Sequence, residues 1–218
     1  MYVLVHTRFF DDFLRHASWV AGAKQVVLLA AGIDARTFRL DWPPGTRLYE
    51  LDRPEVLSVK NEIIADAGAQ PPASAHDWSG PGAPCMVRGA LLNAVYEAHK
   101  PSVWLMEGLL LYITEPAART LLGTASALTV PRSWLGMDLV NEDPLTSPTM
   151  QPLLAAFARR GAPAYLGVTD PEAPLAECVW KSEVTQPSEQ GKLWVLNQRP
   201  GYLCLSPNSS STVSSRVR

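Results

Sequence analysis

The stretch from Val26 to Phe38, VVLLAAGIDARTF, decides the fold. It begins inside an apolar run, Gln25–Ala30, that is typical of a strand buried on both faces of a parallel sheet. The run ends in a turn at Gly32, and a helical pattern follows. A glycine there lets a ligand approach the backbone, although a plain turn is the alternative interpretation of this segment alone. The stretch therefore predicts a strand, a nucleotide-type crevice and a helix.

The rest of the chain alternates between strand and helix patterns. Further strands are predicted at Thr46–Leu51, from Ser102 onward and at Ser133–Val140. Helical spacing of apolar residues occurs within 55–69, Arg88–His99 and Glu115–Leu128. Residues 68–86, crowded with Pro, Gly, Ala and Ser, predict a long loop. Such alternation indicates an α/β fold with a mostly parallel, doubly wound sheet and helices on both faces.

The second predicted strand ends in an acidic residue at an informative distance. Asp52 lies 20 residues after Gly32, the spacing at which an acid in a Rossmann-like unit accepts hydrogen bonds from ribose hydroxyls. Glu50 points to the same face of an extended strand and is the competing candidate. We favour Asp52 because it is at the strand tip. The predicted ligand contains a ribose.

The turn after the first strand also distinguishes between two classes of cofactor. It lacks the second and third glycines of GxGxxG, which allow a pyrophosphate to sit on a helix N-terminus. Asp34 would repel a diphosphate but suits the cationic methionine end of S-adenosyl-L-methionine. Asp34 as a helix N-cap is an equally good interpretation and is compatible with either ligand. The turn therefore favours S-adenosyl-L-methionine over a nicotinamide dinucleotide.

Composition limits the class of protein. The chain has 218 residues, 47% of them hydrophobic and 18% charged, with a formal net charge of −2. This predicts one domain over 1–205 and disfavours nucleic-acid binding. Neither an apolar run long enough for a membrane span nor a signal peptide is recognised, so we expect a cytoplasmic protein. Three dispersed cysteines and four dispersed histidines predict neither a disulfide framework nor a metal site.

Two segments are expected to differ from the core. Residues 141–180 form a candidate substrate cap, with short helical patterns at Leu153–Arg160 and Pro171–Val179. Residues 206–218 are rich in serine and have little apolar surface to bury, which predicts a disordered tail.

Four blocks carry a resemblance to a known family: TRFFDDFL, VVLLAAGIDARTFRL, LYELDRPEV and VWLMEGLLLYI. In this order they resemble S-adenosylmethionine-dependent methyltransferases related to leucine carboxyl methyltransferase, especially the bacterial O-methyltransferase branch. The resemblance implies a Rossmann-like class I methyltransferase fold. It also implies that Gly32 lies beside the cofactor, Asp52 binds the ribose, and Glu107 and Gly108 lie near the methionine moiety.

The resemblance further implies an adenine-contacting acid in the loop after the third strand. Asp77, followed by Trp78, is the candidate, with the indole packing on the adenine ring. A plain loop aspartate is the alternative, because no strand is recognisable before this pair.

The chain departs from the family pattern at both ends. His6 stands where relatives carry the arginine that holds the cofactor carboxylate, and a neutral imidazole lacks the two-donor fork of arginine. We expect Arg8 to substitute. The chain also looks shortened, without an N-terminal closing helix and without a last strand inserted into the sheet. Loss of that strand would uncover an apolar edge and favour self-association.

The favoured function is an S-adenosyl-L-methionine-dependent O-methyltransferase acting on a carboxylate or hydroxyl of a small molecule or peptide. A carboxylate acceptor needs no general base, and for a hydroxyl acceptor His99 or Tyr112 could be proposed, although each is better explained as structural. No catalytic residue is assigned. A noncatalytic or weakly active relative that binds the cofactor is the first alternative, and a nicotinamide-dependent oxidoreductase is the second.

Overall fold

The computed structural model describes residues 2–69, 75–79, 86–170, 180–185 and 200–207, with side chains for residues 6–69, 86–170 and Trp180. The strands are β1 (Gln25–Leu29), β2 (Arg47–Asp52), β3 (Ala75–Ser79), β4 (Val103–Met106), β5 (Trp134–Val140), β6 (Trp180–Thr185) and β7 (Pro200–Pro207). The α-helices are α1 (Tyr2–Arg15), α2 (Arg36–Arg39), α3 (Pro54–Asp66), α4 (Val87–Asn93), α5 (Glu115–Ala127), α6 (Glu142–Thr146) and α7 (Gln151–Arg159). A π-helical turn, His16–Val20, continues α1, and a 3-10 turn spans Leu110–Tyr112.

The strands form one sheet in the order β3-β2-β1-β4-β5-β7-β6. Strands β1 to β5 are parallel, and β7 runs antiparallel between β5 and β6. The chain reverses its direction of winding between β1 and β4, and open α/β sheets bind ligands outside the carboxyl ends of the strands at such a point. The predicted α/β doubly wound sheet is confirmed.

Each face of the sheet carries its own apolar core. Alternate residues of β1 face opposite sides, and all five are buried, which explains the continuous apolar run in the sequence. On one face α1 and the π-helical turn that continues it contribute Phe10, Phe13, Leu14 and Ala17. On the other face α4 and α5 contribute Leu91, Ala118, Leu121, Leu122 and Ala125.

Helix α1 sits directly on β5. A Cβ atom added at Gly136 would lie 2.6 Å from Cε1 of Phe13, so the ring occupies space that only a glycine leaves open. Phe10 and Leu14 beside it are fully buried. Helix α1 is therefore fixed to the sheet and forms a wall next to the carboxyl ends of β1 and β4.

The expected loss of the last inserted strand is wrong. Strand β7 pairs with β5 from Leu135↔Leu205 to Val140↔Pro200, and β6 pairs with its other side. This pairing covers the edge of β5 and removes the physical ground for self-association through that edge. Pro200, Gly201 and Pro207 are unusual in strands, and they bound the apolar stretch of β7.

Several element bounds also differ from the sequence prediction. Strand β3 lies inside the predicted loop 68–86, and α6 lies in the candidate substrate cap ahead of the helical patterns predicted there. Helix α4 ends at Asn93 and does not reach His99. Strand β7 continues to Pro207, two residues into the predicted tail. The rest of that tail, residues 208–218, lies outside the described residues, as does the predicted helix Pro171–Val179. In the part of the chain that is described, no helix is long and apolar enough to cross a membrane.

Candidate cofactor site at the carboxyl edge of the sheet

The turn after β1 is tied to the tip of β2. Gly32 has a φ of +51°, and its N–H donates a 2.7 Å hydrogen bond to Oδ2 of Asp52. The other carboxylate oxygen of Asp52 accepts from the Arg53 N–H, also at 2.7 Å. Asp52 is only partly buried, so its carboxylate is oriented by two backbone donors yet open to the crevice. The structure brings together the glycine and the acid that the sequence spacing singled out.

Glu50, the competing acid, belongs to a different site. Its side chain is 2% exposed and accepts hydrogen bonds from Thr37 Oγ1 and Lys60 Nζ, each at 2.5 Å. Lys60 is equally buried. Glu50 therefore forms a buried ion pair between β2 and α3, and Asp52 is the acid of strand β2 that reaches the crevice.

A cleft of about 390 Å³ opens between α1, α2 and the ends of β1 and β4. We call it the charged compartment, and its lining comprises Thr7, Leu28, Leu29, Ala30, Ala31, Asp34, Ala35, Arg36, Arg39, Leu105 and Glu107. Asp34 and Glu107, both expected near the cofactor, thus share one cavity wall.

Arg36 is the centre of the charged compartment, and the sequence analysis missed it. Its guanidinium, 5% exposed, donates from Nε to Asp11 at 2.8 Å and from Nη1 to Asp34 at 2.6 Å and to Glu107. Burial lowers the pKa of Arg36, but the charges of Asp34 and Glu107 outweigh burial and raise it. Arg36 therefore stays cationic and holds three carboxylates from separate parts of the chain.

His6 joins α1 to the tips of β4 and β5. Its Nδ1 lies 2.6 Å from Glu107 Oε1, and its Nε2 lies 3.5 Å from Asp138 Oδ2. Burial alone would lower the pKa of His6, but hydrogen bonds to Asp138 and Glu107 raise it to about 9. His6 is therefore cationic at neutral pH, which corrects the expectation of a neutral imidazole. Both ring nitrogens face acids of the protein itself.

Glu107 and Gly108 form the turn at the end of β4. Burial raises the pKa of Glu107, but the hydrogen bond from His6 and the charge of Arg36 lower it below its usual range. The Gly108 N–H donates a 2.7 Å hydrogen bond to Asp138 Oδ1, and its φ of +66° suits a glycine. Glu107 is thus ionised, and its side chain is 22% exposed at the compartment wall.

The structure does not bring Arg8 to the charged compartment. Its side chain is 74% exposed and pairs with Asp12 one turn along α1, at 2.6 Å. Among the described side chains of α1, Thr7 lines the cavity. Because neighbouring residues on a helix differ by about 100° in direction, Thr7 and Arg8 cannot share a face.

Asp77 and Trp78 lie within β3, not in the loop after it. In the register of the sheet Asp77 is opposite Glu50 and Ser79 is opposite Asp52, so Asp77 comes two residues before the end of the strand. Their side chains lie outside the described residues, and a contact with adenine stays a prediction. His99, by contrast, is described and 76% exposed, and its nearest acid is Glu97 at 3.9 Å.

A second and larger cleft, of about 580 Å³, lies on the other side of the ends of β1 and β2. We call it the apolar cleft. It shares Leu29 and Ala30 with the charged compartment, and Asp52, Arg53 and Gly108 also line it. Its remaining lining comprises Leu51, Met86, Val87, Ala90, Leu109, Tyr112, Ile113, Leu121, Gly161, Ala162, Pro163 and Tyr165.

Comparison with known proteins gives consistent matches. Residues 1–126 match the family profile described as leucine carboxyl methyltransferase. A relative from Mycobacterium sp. (strain KMS), named as a candidate S-adenosyl-L-methionine-dependent methyltransferase, is 43% identical over 140 residues, 61% of this chain and 43% of its own length. One from Parafrankia sp. with the same kind of name is 39% identical over 145 residues, 63% of this chain and 44% of its own length. The chain thus spans less than half the length of these relatives.

Solved structures agree on the fold. A crystal structure from Thermobifida fusca, titled as a candidate methyltransferase, has a TM-score of 0.69 at 14% identity and covers 95% of this chain and 82% of its own. A DUF574 family protein from Streptomyces avermitilis has a TM-score of 0.67 at 13% identity, covering 93% of this chain and 83% of its own. At such low identity these likenesses establish the fold alone, and they confirm the Rossmann-like methyltransferase arrangement.

Proposed function

This chain belongs to the leucine carboxyl methyltransferase family, and on that premise we propose that it binds S-adenosyl-L-methionine across the charged compartment and the apolar cleft. We propose further that it transfers the methyl group to an oxygen of a carboxylate or hydroxyl acceptor. The observation that carries the proposal is the hydrogen bond between Gly32 and Asp52, which lies beside Leu29 and Ala30, the two residues that line both cavities next to the switch point of the sheet.

The tip of β2 suits the ribose. Asp52 accepts one backbone hydrogen bond on each carboxylate oxygen, and each oxygen retains a further lone pair for a ribose hydroxyl. Because these donors fix the carboxylate before a ligand arrives, little conformational freedom is lost on binding. The carboxylate lines the apolar cleft, where an adenosine could extend along the wall.

The charged compartment suits the amino-acid end of the ligand. Glu107 is ionised and partly exposed, so it can accept from an α-ammonium group, while Thr7 and Arg36 can donate to an α-carboxylate. Around the compartment the acids Asp11, Asp34, Glu107 and Asp138 outnumber the cations His6, Arg36 and Arg39 by one. The resulting negative excess favours a ligand that carries a net positive charge.

When bound, S-adenosyl-L-methionine would supply a methyl group on a sulfonium sulfur for transfer to an acceptor oxygen. The C–O bond would form as the C–S bond breaks, sulfur would keep its electron pair, and a hydroxyl acceptor would release its proton to solvent. The chain's own task is to position the ligand and to exclude water. Asp52 and Glu107 hold two separate ends of the ligand, and the rigid turns at Gly32 and Gly108 fix these two acids relative to each other.

The test is equilibrium binding of tritium-labelled S-adenosyl-L-methionine to the full chain. We expect saturable binding that S-adenosylhomocysteine displaces and NADH does not. Displacement by NADH at similar concentration, or no saturable binding, would overturn the proposal. Transfer of tritium to a panel of carboxylic acids and phenols then separates a working methyltransferase from a chain that only binds the cofactor.

A further inference from the structure

We propose that the end of the apolar cleft between Tyr112 and Tyr165 is the acceptor site, and that it takes an acceptor whose oxygen is attached to an aromatic ring system. The inference rests on the proposed function, because it assigns the acceptor to the cavity that adjoins the proposed cofactor site. It goes further by naming the chemical class of the acceptor and the residues that recognise it.

Two tyrosines that line this end are unusually exposed. Tyr112 closes the 3-10 turn after β4 and is 39% exposed, and Tyr165 follows α7 and is 58% exposed. They are 53 residues apart in the sequence yet line the same cavity. An aromatic ring with a hydroxyl at its tip offers a flat apolar surface and a polar group together, which suits a ligand with the same combination.

The segment that carries Tyr165 is held in place. The Tyr165 N–H donates to Leu111 O at 2.8 Å, and the Val168 N–H donates to Val140 O at 2.9 Å. Gly167 packs so closely on α6 that a Cβ atom there would lie 2.6 Å from Glu142 Cα. The two tyrosines therefore belong to one ordered wall of the cleft, because the backbone of Tyr165 is hydrogen-bonded to Leu111, the residue before Tyr112.

The chemistry of the wall changes along the cleft. Among the described lining residues, charged side chains belong only to Asp52 and Arg53, at the tip of β2. The lining residues next to the two tyrosines in the sequence, Leu109, Ile113, Ala162 and Pro163, are all apolar. A charged or sugar-like acceptor would lose hydration there without compensation, whereas an aromatic body would gain from burial.

The cleft is large enough to hold the adenosine part of the cofactor and the acceptor together. At about 580 Å³ it lies in the middle of the range for cavities that enclose a drug-sized molecule, roughly 300–1,000 Å³. Asp52 ends β2, whereas Tyr165 is bonded to the turn that follows β4, and β1 lies between these two strands. An adenosine at Asp52 would therefore leave the tyrosine end free.

The experiment uses 2-naphthol as the probe, because it combines fused aromatic rings with one hydroxyl. Its binding to the full chain is measured by fluorescence titration at saturating S-adenosylhomocysteine. Replacement of either ring, Tyr165→Ala or Tyr112→Ala, should weaken probe binding about threefold to tenfold. Tyr165→Phe should keep most of the affinity. The matched control is Leu153→Ala on α7, an exposed apolar residue outside the cleft, which should leave probe binding unchanged.

A parallel calorimetric titration of S-adenosylhomocysteine separates the two proposals. Unchanged cofactor affinity in Tyr165→Ala, with weakened probe binding, supports the acceptor site. Competition between the probe and S-adenosylhomocysteine, or equal losses for both ligands, would mean that adenosine fills the whole cleft and would overturn the inference. Probe binding that none of these variants alters would overturn it as well. Failure of S-adenosylhomocysteine to bind the unmodified chain contradicts the proposed function instead.

Discussion

The charged compartment and the apolar cleft meet at Leu29 and Ala30 but are held together by different interactions. In the charged compartment, Arg36 and His6 bind carboxylates from α1, the turn after β1 and the end of β4. In the apolar cleft, the part of the wall that the structure describes is uncharged except for Asp52 and Arg53, and it is built from strand ends, α4, α5, the turn after β4 and the segment after α7. The first region depends on complete pairing of charges, and the second depends on shape and apolar area.

This difference predicts unequal tolerance to substitution. A buried charge that loses its partner keeps its desolvation cost without compensation, which typically destabilises a protein by several kcal/mol. A substitution in the apolar wall of a partly open cleft removes only contact area and leaves no charge unpaired. Substitutions in the charged compartment should therefore affect folding, whereas those in the apolar cleft should affect binding.

The largest effect is expected for Arg36→Ala. The change leaves Asp11, Asp34 and Glu107 without their shared cation, so the free energy of unfolding should fall by about 3 to 5 kcal/mol. Urea denaturation measures this. The matched control is Arg39→Ala, because Arg39 also pairs with Asp11 but is 39% exposed; its loss should be about 1 kcal/mol or less. Equal small losses for both variants would show that the charges are not coupled as described.

Asp52→Ala should have the largest effect on binding with little effect on folding. Removal of the carboxylate should weaken binding of S-adenosylhomocysteine by about 1.5 to 3 kcal/mol, the range for hydrogen bonds to a charged group. Isothermal titration calorimetry measures this. Glu55→Ala, an exposed carboxylate in the first turn of α3, is the control and should bind as the unmodified chain does. An affinity of Asp52→Ala equal to that control would remove Asp52 from the site.

Gly136→Ala tests whether the close packing of α1 on β5 maintains the charged compartment. The new methyl group would collide with the Phe13 ring, so the free energy of unfolding should fall by about 1 to 3 kcal/mol. Gly123→Ala in α5 has no atom within 4 Å of the added Cβ and should instead stabilise by up to about 1 kcal/mol. A thermal unfolding series with Phe13→Leu added to Gly136→Ala should recover part of the loss. A Gly136→Ala variant as stable as Gly123→Ala would refute the close packing of α1 on β5.

The most gradual effect concerns pH. Because the pKa of His6 rises from 6.5 to about 9 in the folded chain, its contribution to stability is complete below pH 6.5 and is lost as the pH rises through 9. The loss should be no steeper than about 1.4 kcal/mol per pH unit. Urea midpoints between pH 6 and pH 10 should fall more steeply for the unmodified chain than for His6→Gln. Asp138→Asn should shift the fall to lower pH, and parallel curves for all three proteins would refute the ion pairs of His6.

Local patterns were sufficient to predict the centre of the fold. The run before Gly32 is apolar because β1 is buried on both faces, and Asp52 follows because β2 runs parallel to β1 and ends at the same edge. The positions of Glu107 and Gly108 at the end of β4 came from the family resemblance. These features are encoded within a few residues or at a fixed spacing along the chain.

The ion pairs of the charged compartment could not be predicted in this way. Arg36 pairs with Glu107, which lies 71 residues further along the chain, and His6 of α1 pairs with Asp138 of β5. Only the folded chain therefore shows which charges meet. Arg8 was a plausible choice from its neighbourhood in the sequence, but its direction on α1 points it to solvent. The insertion of β7 between β5 and β6 was missed, because the pairing of segments far apart in the sequence is not encoded in their local patterns.

The most direct test of the central claim is a crystal structure of the full chain with S-adenosylhomocysteine. We predict that the ribose hydroxyls lie within hydrogen-bonding distance of the Asp52 carboxylate and that the amino-acid end occupies the charged compartment beside Glu107. The ligand should pass over Ala30, where the two cavities meet. A ligand bound with its adenine beside Arg36, or bound outside both cavities, would contradict the account.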